Sequence, residues 1–165
     1  MQSIVGLLEA MSEASFAVFV RESTWAFPAA EAAHVIALSL VVGLIAIIDL
    51  RLLGLASVEK RLTSLTRDIL PWTWGAFAVA AVSGMAMFTS QPLVYFNNTA
   101  FRIKLLLLVL AGCNMIYFHL ITCRDLDGWD SGPVTPTAAK FAGGASLTFW
   151  VAVVILGRQV GFTMY

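Results

Sequence analysis

The sequence predicts an all-α fold: an integral membrane four-helix bundle running up-down-up-down, with an N-terminal amphipathic interfacial helix. Three observations carry this. First, 59% of the 165 residues are hydrophobic and 12% are charged, with a mean hydropathy of +0.86, against roughly 45–50% apolar and about 25% charged in an ordinary soluble domain. Second, a chain of this length has too little interior for that much apolar surface, because a domain of ~150 residues buries only about 68–70% of what its unfolded chain exposes. The excess must face lipid. Third, four uncharged or nearly uncharged segments, 32–48, 69–101, 105–123 and 141–157, each reach or approach the ~20 residues of a spanning helix. Short connections between them make neighbours antiparallel.

Residues 1–24 read as the N-terminal segment and 25–165 as the membrane domain, with spans at about 28–49, 71–91, 101–123 and 141–160. Ile4, Leu7, Leu8 and Met11 recur at helical spacing, with Phe16, Phe19 and Val20 after them. That pattern suits a short amphipathic helix on the outer membrane surface, a re-entrant or docking helix being the alternative. Glu9 and Glu13, and the lack of a basic start followed by an apolar run, argue against a cleavable signal peptide. Trp25 and Pro28 suit the entry to span one, and Asp49-Leu-Arg51-Leu-Leu-Gly54 closes it at the water boundary. Pro71 starts span two, with Trp72 and Trp74 as aromatic anchors. Ala76, Ala80 and Gly84, four residues apart, form a small-residue stripe that permits close helix approach, and Met87 continues that face. Span two ends near Gln91 and Pro92. Span three runs to about Cys123, and the loop to Lys140 has a solvated turn composition. Span four opens with Gly143 and Gly144 and closes with Gly157-Arg-Gln-Val-Gly161, a spacing that suits helix packing or a dimer contact.

Charge and motif narrow the function. Ten basic and ten acidic residues cancel, so no field draws in nucleic acid. Cys113 and Cys123 are separated by ten residues of helix, about 15 Å, beyond the ~7 Å limit for a disulfide. No C-x-x-C, H-E-x-x-H, P-loop or G-x-G-x-x-G occurs. Arg51, Lys60, Arg61, Arg67, Arg124 and Lys140 lie on one side of the spans, and Arg21, Arg102, Lys104 and Arg158 on the other. By the positive-inside rule the expected orientation is N-out and C-out.

Ionisable groups within spans are costly and face the bundle interior. At 100° per residue, Glu31, His34 and Asp49 share one stripe of span one, and Lys104 and His119 share one of span three. Spans one and three run in the same direction, so depth places Glu31 and His34 with Lys104 and Asp49 with His119. One reading is structural: Glu31 to Lys104 and Asp49 to His119, with Arg51 nearby, fasten helices together. The other starts from His34 as a haem b ligand. It lies six residues past Pro28, at the depth of Met85 and Met87; Met87, nearly on the small-residue face, is the better thioether candidate. Arg102, Lys104 and Arg158 ring the same side and could neutralise propionates. One haem between His34 and His119 is excluded by depth, since the imidazoles differ by roughly twelve residues, about 18 Å; a second haem at His119 would need a ligand from another subunit. Glu31-x-x-His34 is half of a di-iron pair without its second copy. Ser39, Ser83 and Ser90 have no positioned base. A proton path through Glu31, His34 and Asp49 is interrupted by apolar sequence.

The segment Trp25-Ala-Phe-Pro-Ala-Ala-Glu31-Ala-Ala-His34, with Gly43, the Asp49–Gly54 ending, Phe101-Arg-Ile-Lys104 and Asn114, resembles a family of small bacterial inner-membrane proteins without assigned function, over about 25–157. The resemblance implies four transmembrane helices. With the charge bias, the resemblance implies a multi-pass protein of a bacterial inner membrane, N-out and C-out. A looser similarity to b-type cytochrome and copper-resistance membrane bundles rests on fold and membrane histidines, without matched histidine pairs at one depth. The expectation is therefore a redox-associated, haem b-binding electron-transfer subunit embedded in lipid and associated with other membrane subunits or with copies of itself. The alternative is a non-catalytic scaffold or accessory subunit whose polar residues only pair helices.

Overall fold

The computed structural model describes residues 2–120, 128–130 and 135–163. Its helices are α1 (Gln2–Glu13), α2 (Ser15–Glu22), α3 (Ala26–Leu53), α4 (Leu62–Ser90), α5 (Pro92–Asn97), α6 (Thr99–Leu120) and α7 (Thr137–Thr163). By length and hydropathy α3, α4, α6 and α7 can each cross a membrane. Between 11% and 33% of their most apolar windows is buried, so the rest, including Val35, Ile36, Leu106 and Val109, is left for lipid.

The four long helices form two antiparallel pairs, α3 with α4 and α6 with α7, joined where α3 packs on α7. Three apolar layers fill the bundle. At one end, called here the Arg51 end, Ile48, Leu52, Leu62, Leu65, Ile69, Phe118 and Ala139 pack with Trp129. Val41, Ala111, Trp150 and Val153 form the middle. At the other end, the α5 end, Tyr95, Ala100 and Val160 gather Met87, Phe88 and Phe101 around them.

α3 and α7 extend the predicted spans by a few residues at each end, and α6 starts two residues early; in α4, Pro71 lies inside the helix rather than at its start. A proline removes one bond, here to the Arg67 carbonyl. The two turns before it are held by burial of Leu62, Leu65 and Ile69 and by a cap from a distant loop. The Asp130 carboxylate accepts the Thr63 N–H at 2.9 Å and the Thr63 hydroxyl at 2.7 Å, and its carbonyl accepts the Leu62 N–H at 3.4 Å. Residues 121–123, including Cys123, lie outside the described residues. α3 ends as its sequence predicts, with Gly54 in the left-handed region at φ 76° and Leu55 N–H returning to the Leu50 carbonyl at 2.9 Å. A side chain at Gly54 would strain that turn.

Burial disfavours the charge on Asp130, but the hydrogen bonds from Thr63 and Leu62, with Arg61 nearby, outweigh it and hold the carboxyl below the usual carboxylate range. A depressed carboxyl contributes stability above its unfolded pKa, near 4, and that contribution is lost as pH falls through the folded value. The protection factor of the Thr63 amide, its exchange relative to the unfolded chain at the same pH, should therefore be high at neutral pH and fall on acidification below about pH 4. Asp130→Asn should weaken the protection at neutral pH; equal exchange in both proteins would remove the cap from the account.

The N-terminal segment is two helices, bent by 64°, with Ala14 between them. α2 packs on α3 and α4, and α1 on α5. Leu8, Ala17 and Val20 are buried. Arg21 Nη1 donates to the Ser12 and Ser90 carbonyls, both at 3.2 Å, which ties the bend to the end of α4. The segment docks on the α5 end instead of extending as one helix.

Candidate functional site

Four helices meet at His34. The ring projects from α3 onto the small-residue stripe of α4, where Gly84 makes room: a Cβ on Gly84 would stand 2.9 Å from His34 Cε1. His34 Nδ1 lies 2.8 Å from the Ala80 carbonyl and 3.2 Å from Ser83 Oγ. A carbonyl only accepts, so Nδ1 carries the proton and Nε2 presents a lone pair. Ser83 Oγ sends its own hydrogen to the Val79 carbonyl at 2.7 Å and so receives from His34. On the other side of the ring, Lys104 Nζ on α6 donates to Nε2 across 3.5 Å. Lys104 in turn lies along Gly157 of α7, whose absent Cβ would be 3.4 Å from Nζ. One imidazole thus links α3 to α4 and α6, with α7 backing the cation.

The structure brings His34 and Lys104 together, at the common depth expected of them, but leaves Glu31 exposed. Asp49 and His119 are not brought together. Asp49, 3% exposed, lies beside the Ser146 hydroxyl of α7, and its Oδ2 is buried with no hydrogen-bond partner among the described residues. The reason is the packing order: α3 lies against α7 rather than α6, so its polar stripe meets Ser146. His119 is exposed, with Nδ1 3.0 Å from the Met115 carbonyl of its own helix, and lines a groove toward α4. The two imidazoles stand at opposite ends of the bundle. Along α4, Leu70 beside His119 and Ser83 beside His34 are thirteen residues apart, about 20 Å.

The remaining predicted ligands are dispersed. Met85 is 59% exposed on the outer surface. Met87 packs in the aromatic layer with Phe88, Tyr95 and Phe101. Arg102 is exposed, and the Arg158 guanidinium stacks over the Phe162 ring at 4.5 Å. The donor chemistry of His34 suits a metal, since Nδ1–H to a backbone carbonyl is how ligating histidines are oriented. Its surroundings do not fit a haem: Lys104 caps Nε2, and the ring edge lies in contact with α4 at Gly84.

A second polar centre closes the Arg51 end. Arg51, 0% exposed, donates from Nε to the Lys60 carbonyl at 3.0 Å, from Nη1 to Thr135 Oγ1 at 3.3 Å, and from Nη2 to the Asp130 carbonyl at 3.4 Å. It therefore holds the α3–α4 connection against the α6–α7 connection. Between α6 and α7, Asn114 Nδ2 donates to the Ala142 carbonyl at 2.9 Å. Ser83, Ser146, Thr135 and Asp130 had no sequence motif to mark them as partners; Asn114 is signalled only as an amide within an apolar span.

Four apolar helices fastened by intramembrane polar contacts define a polytopic membrane protein. The chain belongs to a family described as "Family of unknown function (DUF6644)", whose model matches residues 10–163. No curated protein and no solved structure matches it.

Proposed function

We propose that this protein is a non-catalytic accessory subunit of a larger membrane assembly, in a bacterial inner membrane with both termini outside, and that its intramembrane polar residues serve to fasten its helices. The observation that carries this reading is the bonding of His34 at both ring nitrogens, to α4 through Nδ1 and to α6 through Nε2. An imidazole engaged on both sides acts as a crosslink, and each such contact in lipid is worth about 0.6 kcal/mol on average.

The second reading is a redox subunit holding haem b on His34. It is favoured by the Nδ1–H bond to Ala80, which leaves Nε2 as the coordinating atom, and it requires Lys104 to withdraw from that atom. The two readings separate in one preparation. Protein purified in mild detergent is expected to be colourless, without a Soret band and without stoichiometric iron, and to migrate in an assembly larger than the monomer. His34→Ala is expected to lower the thermal midpoint while changing no absorbance. A Soret band that His34→Ala abolishes would replace the accessory reading with the redox one.

A further inference from the structure

Among the lateral faces of the bundle, the one between α4 and α6 at the Arg51 end carries a groove of about 420 Å³. We propose that this groove is a binding site for an anionic phospholipid, with the phosphate at Arg67 and the upper acyl chain along Leu70 and Trp74. The groove changes character along its length as a phospholipid does. Along α4, Thr63, Thr66 and Arg67 line one end and Leu70, Pro71 and Trp74 the other, with His119 of α6 across from them. Arg67 to Trp74 spans seven residues of helix, about 10 Å.

The charge is complementary to phosphate. Arg67 is exposed, permanently cationic, and presents several donors to phosphate oxygens. Asp68 follows it in sequence but does not line the groove. The Asp130 carboxylate at the rim is engaged by the Thr63 N–H and hydroxyl. Across the groove, His119 donates Nδ1–H to the Met115 carbonyl, which leaves Nε2 to accept a headgroup hydroxyl. Trp74 is exposed and braced edge-on by Phe77, with ring centroids 5.9 Å apart. That placement suits an indole lying beside glycerol and the first methylenes. The site is independent of what occupies His34, at the other end of the bundle.

Trp74 makes the proposal measurable. The full chain would be reconstituted in phosphatidylcholine vesicles containing either dibrominated phosphatidylglycerol or dibrominated phosphatidylcholine. Quenching by Trp74 is the difference between the protein and Trp74→Phe. One cation near the headgroups is worth about fivefold in lipid affinity, so the phosphatidylglycerol probe should half-quench Trp74 at about one-fifth of the mole fraction that the phosphatidylcholine probe needs. Arg67→Gln should bring the two curves together. Arg67→Lys, which keeps the cation, should retain most of the preference. Equal quenching of Trp74 by both probes, or a preference that survives Arg67→Gln, would overturn the proposal.

Discussion

Arg51→Met is expected to destabilise the protein by about 2–3 kcal/mol, the cost of removing the hydrogen bonds of a buried charged group. The guanidinium is fully buried and supplies donors to the Lys60 carbonyl, Thr135 and the Asp130 carbonyl. Methionine keeps most of the stem and removes every donor. The Thr135 hydroxyl, 4% exposed, is left buried without its donor, at about 1–3 kcal/mol. The same loop places the Asp130 cap on α4, so the variant should also lose protection at Thr63. Arg51→Lys should fall between, because an ammonium cannot reach three acceptors held around a planar fork. The comparison is made on thermal midpoints in detergent, followed by helical circular dichroism, with limited proteolysis of the α3–α4 connection as a second readout. A midpoint for Arg51→Met equal to that of the parent would mean that the loops are held by something else.

Arg51 also shows where sequence reasoning stops. Beside Asp49 it reads as a water boundary, yet the chain folds its connections over it, and the partner that makes it a clamp, Thr135, is 84 residues away. Depth, by contrast, was legible. Hydropathy sets the bounds of spans one and four to within a few residues, though not the start of α4, and spans running in the same direction put His34 and Lys104 at one level. Rotation was not legible. α3 and α6 are apolar on nearly every face, so no amphipathic stripe tells which side of either helix turns inward. Asp49 therefore lies beside Ser146 on α7, where the helical stripes and the depth of spans one and three predict His119 as its partner. The stripe of Ala76, Ala80 and Gly84 was the exception: small residues at a four-residue spacing mark a face by shape, and His34 is seated on it. Pro71 marks a broken bond in a helix that continues, because burial on both sides of it holds the turns in register.

Shape also governs the second large effect, at the seam between the two helix pairs. A Cβ on Gly143 would stand 2.9 Å from Leu52 Cβ and 3.1 Å from the Asp49 carbonyl oxygen. Neither atom is the free end of a side chain, so α3 and α7 must separate to admit even a methyl group. Overpacking of this kind costs about 1–3 kcal/mol, and Gly143→Leu should exceed Gly143→Ala. The displacement would act on Asp49, which lies beside Ser146 across the same seam, and would lower the thermal midpoint in detergent. The neighbouring Gly144 supplies the control. Its Cβ would meet only Leu53 Cδ2, at 3.7 Å, an ordinary contact, and alanine is favoured over glycine within a helix by about 1 kcal/mol. Gly144→Ala should therefore leave the midpoint unchanged or raise it while Gly143→Ala lowers it. If the two alanine variants moved the midpoint together, helix propensity rather than close approach of α3 and α7 would be setting the response, and the seam would have to be wider than the structure has it.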